Sequence, residues 1–227
     1  EQNGIYYAIF PKKPGRLEPE LNKEQLTRLG RYLARLHNVG HARKNIPRGI
    51  LSPQTFGRDS VKTIEALKIL APGLGPIYKQ IALDICDRSE KWFEGIETCL
   101  IHGDCHAGNI LWRGDEPYFI DFDDMLYAPP VQDFWMLIGG DDDYAIKNRD
   151  ILISAYEEIR VFDDRSLKLI EPLRSLRIIY FSAWIARRWD DGAFKLAFPH
   201  FGTEKYLQQQ IEHLSGQLER IKALDKE

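Results

Sequence analysis

Apolar runs are short throughout this 227-residue chain. None approaches the roughly 18 consecutive apolar residues of a membrane-spanning helix, and no signal-peptide pattern marks the start. Cysteine is scarce. Cys86, Cys99 and Cys105 are the only three, an odd number that builds no disulfide framework, so a reducing, cytoplasmic setting is expected. Basic charge is not in excess either: 31 Lys and Arg face 34 Asp and Glu, for a net charge of −3. That balance excludes general nucleic-acid binding through a basic surface. No G-x-x-x-x-G-K segment is present, so no P-loop cradles phosphate. With neither a nucleic-acid nor a membrane partner indicated, a monomer is expected.

Chemistry-bearing residues are concentrated in one stretch, Ile101 to Asp124, reading IHGDCHAGNILWRGDEPYFIDFDD. Asp104 and Asn109 stand five residues apart, and Asp121 ends the next apolar run but one. In protein kinases a catalytic-loop Asp takes the substrate hydroxyl proton, an Asn five positions on holds magnesium, and an Asp after the following strand holds it too. The present order resembles that arrangement. Phosphoryl transfer asks little covalent work of a protein; it needs a metal-bridged triphosphate, a positioned hydroxyl and a proton acceptor. Asp104 fits the acceptor, while Asn109 and Asp121 offer the hard oxygens that magnesium takes. Asp and Asn are also common turn residues, but turns alone do not produce HGD, NILW and FIDFDD in succession. Cys99, His102, Cys105 and His106 could suggest zinc, yet they lack the two separated ligand pairs of structural sites. His102 is read as a packed histidine holding the loop.

The rest of the chain reads as mostly helical. Ile5 to Phe10 forms a β-rich run. Asn22 caps a helix with Gln25 in capping-box position, Leu26, Leu29, Leu33 and Leu36 form its apolar stripe, and Gly40 closes it. Residues 41 to 75 read as loop with one short helix near Val61 to Leu70. Pro76 opens a helix to about Gly95. A strand at Cys99 to Ile101 precedes two short strands joined at Gly114-Asp115. Helices follow over Gln132 to Ile138, from Asp141–Asp143 to Arg160, from Asp164 or Ser166 to Trp189 with Pro172 kinking or restarting it, and along Leu207 to Ile221. A strand starting almost at residue 1 needs partners, and there is no initiator Met, so the chain is expected to be the C-terminal portion of a longer protein.

HGDCHAGNILW followed by FIDFDD resembles the aminoglycoside phosphotransferase and choline kinase superfamily. Together with GRYLARLH, VQDFWML and IEPLRSLRIIYFSAWIARRW, the likeness extends over nearly the whole chain to that superfamily's bacterial stress response kinases, which are Ser/Thr protein kinases. The resemblance implies an α+β, mostly helical, protein-kinase-like fold. Residues 1–11 would be the last upstream-lobe strand and the hinge, and residues 12–227 the C-terminal lobe. ATP and Mg2+ are implied as co-substrate and metal, with a protein Ser/Thr hydroxyl as acceptor. By the same resemblance Asp104 is the catalytic proton acceptor, Asn109 and Asp121 ligate magnesium, and Asp121 also counts as an active-site residue. Phe10 falls where the hinge touches adenine, Leu111 and Ile120 where apolar side chains line the nucleotide pocket, and Asp133 where an acid anchors the catalytic loop.

Two departures bear on this. The phosphate-covering loop, the phosphate-pairing Lys and its Glu partner are not recognisable, so the chain alone is expected to be incomplete and weakly active. Gly103 replaces the Arg of ordinary protein kinases, and only eleven residues separate Asp121 from Asp133, leaving little peptide-docking surface. A small-molecule kinase acting on an aminoglycoside, choline or sugar-type alcohol therefore stands as the alternative, with a non-catalytic binding domain as a third reading. Asp123, Asp124 and Asp141 to Asp143 could supply an acidic pocket for a cationic acceptor, although helix capping explains the last three more simply. Trp184, Arg187, Arg188 and Trp189 could line a cleft, although packing for the tryptophans and exposure for the arginines is the simpler expectation.

Overall fold

The computed structural model describes residues 9, 11–67 and 73–226. Phe10 and all of the expected first strand except Ile9 lie outside the described residues.

Eight α-helices and four short strands make an α+β architecture dominated by helix among the described residues. The first helix, α1 (Lys23–Ala42), starts where expected: the Asn22 side chain accepts from Gln25 N, and the Gln25 side chain accepts from Asn22 N. Leu26, Leu29 and Leu33 are buried, with Leu36 packed at the edge. Two of its arginines are tied down. Arg28 pairs with Glu116 at 3.1 Å and Arg31 with Glu158 at 2.7 Å. Gly40 does not end this helix, which runs two residues further. A Cβ at Gly40 would lie 1.8 Å from the main-chain oxygen of Leu100, so the glycine lets the helix touch the strand that leads into the loop of Asp104.

The segment expected as loop is partly wound. A π-helical turn at Pro53–Arg58 with a Ser52 capping box runs into α2 (Asp59–Ala66). Helix α3 (Gly75–Phe93) begins with Pro76 in its first turn, as anticipated. Strand β1 (Cys99–Ile101) then pairs antiparallel with β4 (Leu126–Ala128), while β2 (Ile110–Arg113) and β3 (Glu116–Phe119) form a hairpin closed by Gly114 and Asp115. Strand β4 was not anticipated; at three residues it shows no alternation to read.

Helix α4 (Val131–Leu137) shares an apolar cluster with the β1–β4 pair through Val131, Phe134 and Trp135. Asp142 caps α5 (Asp143–Glu157), which packs along α1. A 3-10 turn capped by Asp163, rather than a helix capped by Asp164 or Ser166, leads into α6 (Ile170–Ala186). Pro172 sits in the first turn of α6, where no intrahelical N–H bond is lost, so it causes no kink. After α7 (Gly192–Ala197), the chain ends on α8 (Glu204–Leu224), packed on α3 and α6.

Two apolar clusters result. One joins α1, α5, the strands, α4 and the start of α6; the other joins α2, α3, the second half of α6 and α8. Helix α6 belongs to both, and the loop between β1 and β2 lies beside the first. Trp184 and Trp189 pack at the edge of the second cluster while Arg187 and Arg188 stay exposed, as the simpler expectation had it. Among the described residues no helix is long and apolar enough to cross a membrane.

Candidate active site

The loop that carries Asp104 is anchored from below by one buried carboxylate. Asp133, fully buried on α4, accepts from the main-chain N–H of His102 (3.0 Å, Oδ2) and of Gly103 (2.9 Å, Oδ1). Its Oδ2 also takes His37 Nε2 at 3.0 Å, and His37 Nδ1 lies 3.0 Å from the Tyr156 hydroxyl. The network assigns the tautomer: Nε2–H donates to the acid, and Nδ1 accepts from the phenol. Burial pushes the Tyr156 hydroxyl pKa well up, keeping it a donor. Helices α1, α4 and α5 thus converge on two main-chain amides.

Gly103 adopts φ +83°, and a Cβ there would lie 2.3 Å from the main-chain oxygen of Asp124. The absence of the kinase-type Arg at this position is therefore required by the path of the 121–125 segment, which folds back over the loop. His102 donates from Nε2 to the Ile120 oxygen at 2.9 Å and packs 4.7 Å from the Phe122 ring. Its buried Nδ1 has no partner among the described residues. The expectation of a packed, loop-holding histidine is met. Cys99, His102, Cys105 and His106 do not converge; among the described residues no three His, Cys, Asp or Glu side chains form a metal cluster. All three cysteines are buried and free, and burial pushes the Cys86 and Cys99 thiols up to about 12.

Asp104 and Asn109 meet directly. The Asn109 amide donates to the Asp104 main-chain oxygen at 2.9 Å and reaches Oδ2 at 3.3 Å. With its nitrogen committed, the amide oxygen remains for another partner. The β2–β3 register pairs Ile110 with Phe119, and Ile120 N donates to Asn109 O at 3.0 Å, so Asp121 leaves the hairpin beside Asn109. Asp121 sits at φ +61°, a backbone conformation costly for a non-glycine residue and found most often at functional sites. Among the described residues its carboxylate has no hydrogen-bond or ion-pair partner. One free amide oxygen and one free carboxylate are a suitable start for magnesium, which draws its other ligands from phosphate and water.

Strand alternation places Asn109, Leu111, Tyr118 and Ile120 on one face of the hairpin. Leu111 and Ile120 are half-buried there, while Ile110 and Trp112 are buried on the other face. The segment after residue 10 runs beside this hairpin, since Arg16 and Trp112 exchange main-chain bonds of 3.0 and 2.8 Å. The apolar pair and Asn109 therefore share a surface.

A model of the phosphotransferase enzyme family matches residues 1–170. The chain belongs to this family. Similar proteins include stress response kinase A of Escherichia coli K12 and serine/threonine protein kinase RdoA of Salmonella typhimurium. Each is 38% identical over 208 residues, covering 91% of this chain and 63% of the relative. The chain thus spans less than two thirds of their length. Among solved structures, amicoumacin kinase hAmiN in complex with AMP-PNP, Ca2+ and Ami is 20% identical, covers 85% of this chain and 62% of its own, and has a TM-score of 0.61. That likeness establishes the kinase-like fold of the family.

Asp124 lies on the other side of Gly103. Burial first, then the nearby charge of Asp104, raises its carboxyl pKa, with Arg177 pulling the other way. A carboxyl raised in the folded state contributes stability that is complete below its unfolded pKa and is lost as pH rises through the folded one. Asp124→Asn should therefore raise the melting temperature at pH 7 by on the order of 1 °C, with the gain vanishing below about pH 4. Thermal melts of both proteins across pH check this; a pH-independent difference would contradict it.

Proposed function

We propose that the protein containing this chain transfers the γ-phosphoryl group of ATP to a Ser or Thr hydroxyl of a protein. The single observation that carries the reading is the Asp104–Asn109 pair, locked through 2.9 and 3.3 Å bonds beside Asp121. Asp104 is the catalytic base: it accepts the hydroxyl proton as the new O–P bond forms and the bond to ADP breaks. Asn109 and Asp121 would hold magnesium, which would supply charge neutralisation on the phosphates. Asp121 counts as active-site residue on the same ground. Leu111 and Ile120 would line the adenine pocket, with Phe10 as its hinge contact. The division into residues 1–11 as last strand and hinge and 12–227 as the C-terminal lobe belongs to the same proposal.

A protein acceptor and a place in a stress response are supported by the names of the two curated relatives, and a cytoplasmic setting belongs to the same proposal. The buried, unpaired thiols suit a reducing compartment. A small-alcohol acceptor is the second reading, favoured by the hAmiN-like fold and the short segment between Asp121 and Asp133. The test uses the full-length protein with γ-labelled ATP, comparing autophosphorylation and a generic protein substrate with a panel of small alcohols. Label in protein and not in alcohols is expected. Transfer to alcohols alone overturns the acceptor assignment, and no transfer at all overturns the phosphotransferase reading.

A further inference from the structure

Asp104 is held by a side chain from a distant helix. Arg177 on α6, 73 residues downstream, places Nη2 2.5 Å from Asp104 Oδ1; the two side chains are 32% and 18% exposed. Asn109 lies at the other oxygen, and His106 Nε2 is 3.5 Å from it. A carboxylate offers about four acceptor positions. A guanidinium on Oδ1 therefore fixes the carboxylate while leaving lone pairs for a substrate hydroxyl, and a charge-assisted bond of this kind is short and directional.

Arg177 also lines a cavity of about 320 Å³ that opens beside Gly103. Tyr180, one turn further on α6, forms part of the same wall. Its ring stacks on Phe56 at 3.9 Å and carries the Arg187 guanidinium 4.9 Å from its centroid. The wall is therefore a packed surface rather than a loose helix face. Arg48 adds a second guanidinium to the lining, donating to the Asp123 main-chain oxygen at 2.7 Å.

We infer that Arg177 is a positioning and specificity-determining residue: it orients Asp104 and selects acceptors whose reacting hydroxyl has no cation beside it. This rests on the proposed phosphotransferase reading. Any acceptor that brings a hydroxyl to Asp104 places its neighbouring atoms within a few ångströms of the guanidinium. A Ser or Thr side chain brings neutral peptide groups. An amino alcohol brings an ammonium or a quaternary nitrogen two carbons from the reacting oxygen, which meets like charge on Arg177 and then on Arg48. Asp123 and Asp124 line the cavity as well, so the discrimination rests on Arg177 standing nearest the reacting hydroxyl through its bond to Asp104. Lysine would keep the charge without the planar fork.

The test uses the full-length protein, its Arg177→Ala and Arg177→Lys variants and an Asp104→Ala control, with a protein substrate, choline and ethanolamine as acceptors. Arg177→Ala should lower kcat on protein about 10- to 100-fold through misplacement of the base, leave KM for ATP and the melting temperature unchanged, and gain transfer to choline or ethanolamine. Arg177→Lys should recover part of kcat and the rejection of both cations. Parent-like kcat and preference in Arg177→Ala, with Asp104→Ala inactive, overturns the inference while the functional reading stands. A kcat loss with unchanged preference overturns the selective role. Loss that tracks a lowered melting temperature and raised KM for ATP overturns the inference in favour of a structural role. No transfer by the parent protein overturns both readings.

Discussion

Replacing Asp104 with Ala in the full-length protein is expected to reduce phosphoryl transfer by about 10²- to 10⁴-fold, the usual contribution of a positioned general base. The loss should fall on kcat, because Leu111, Ile120 and Asp121, proposed to hold nucleotide and metal, lie on the hairpin and its exit, and Asn109 loses only its 3.3 Å contact to the carboxylate. Stability should change little. Arg177 remains about a third exposed and can turn to water, and Asn109 keeps its 2.9 Å bond to the main-chain oxygen at residue 104. Single-turnover transfer from labelled ATP, run beside a thermal melt, separates the two effects. Undiminished transfer would remove Asp104 from the chemistry and assign proton acceptance to another group.

The second large effect is structural. Asp133→Ala is expected to destabilise the protein by about 3–5 kcal/mol, the range for removing one partner of a buried ionic and hydrogen-bonded set. The acid is fully buried and both of its oxygens are in use. Its loss strands two main-chain N–H groups and the Nε2–H of His37 in a buried site. For a domain of this size the melting temperature should fall by on the order of 10 °C. Transfer should fall as well, since those two amides set the path of the residues just before Asp104. Asp133→Asn should recover only part of the stability, because its NH2 group meets a donor. Thermal denaturation of the three proteins decides the matter; a melting temperature equal to the parent's in Asp133→Ala would show that the loop is held by something else.

Much of the fold was legible because its signals are local. The Asn22–Gln25 capping box, the leucine stripe of α1, Pro76 at the start of α3 and the turn at Gly114-Asp115 each act within a few residues, and each appears where expected. Failures occurred where a residue answers to something distant. Gly40 looked like a helix terminator, but it answers to Leu100 across the interface. Strand β4 is defined by β1, 25 residues before it, and by no pattern of its own. Asp163 took the capping role from Asp164 and Ser166 because the chain enters α6 through a 3-10 turn.

The site divides in the same way. The sequence by itself determined that Asp104, Asn109 and Asp121 belong together, because five residues of loop and one two-residue hairpin leave them little choice of neighbours. It also contained the likeness to the phosphotransferase family, carried by motifs that run along the chain. Only the tertiary structure decided what surrounds Asp104. Arg177 sits in a helix whose apolar pattern gives no hint of a catalytic loop, and the chain between residues 104 and 177, a separation of 73, must fold before its guanidinium meets the carboxylate. Such a contact is set by the packing of α6 between two cores, and packing across long sequence separation has no periodicity from which it can be read.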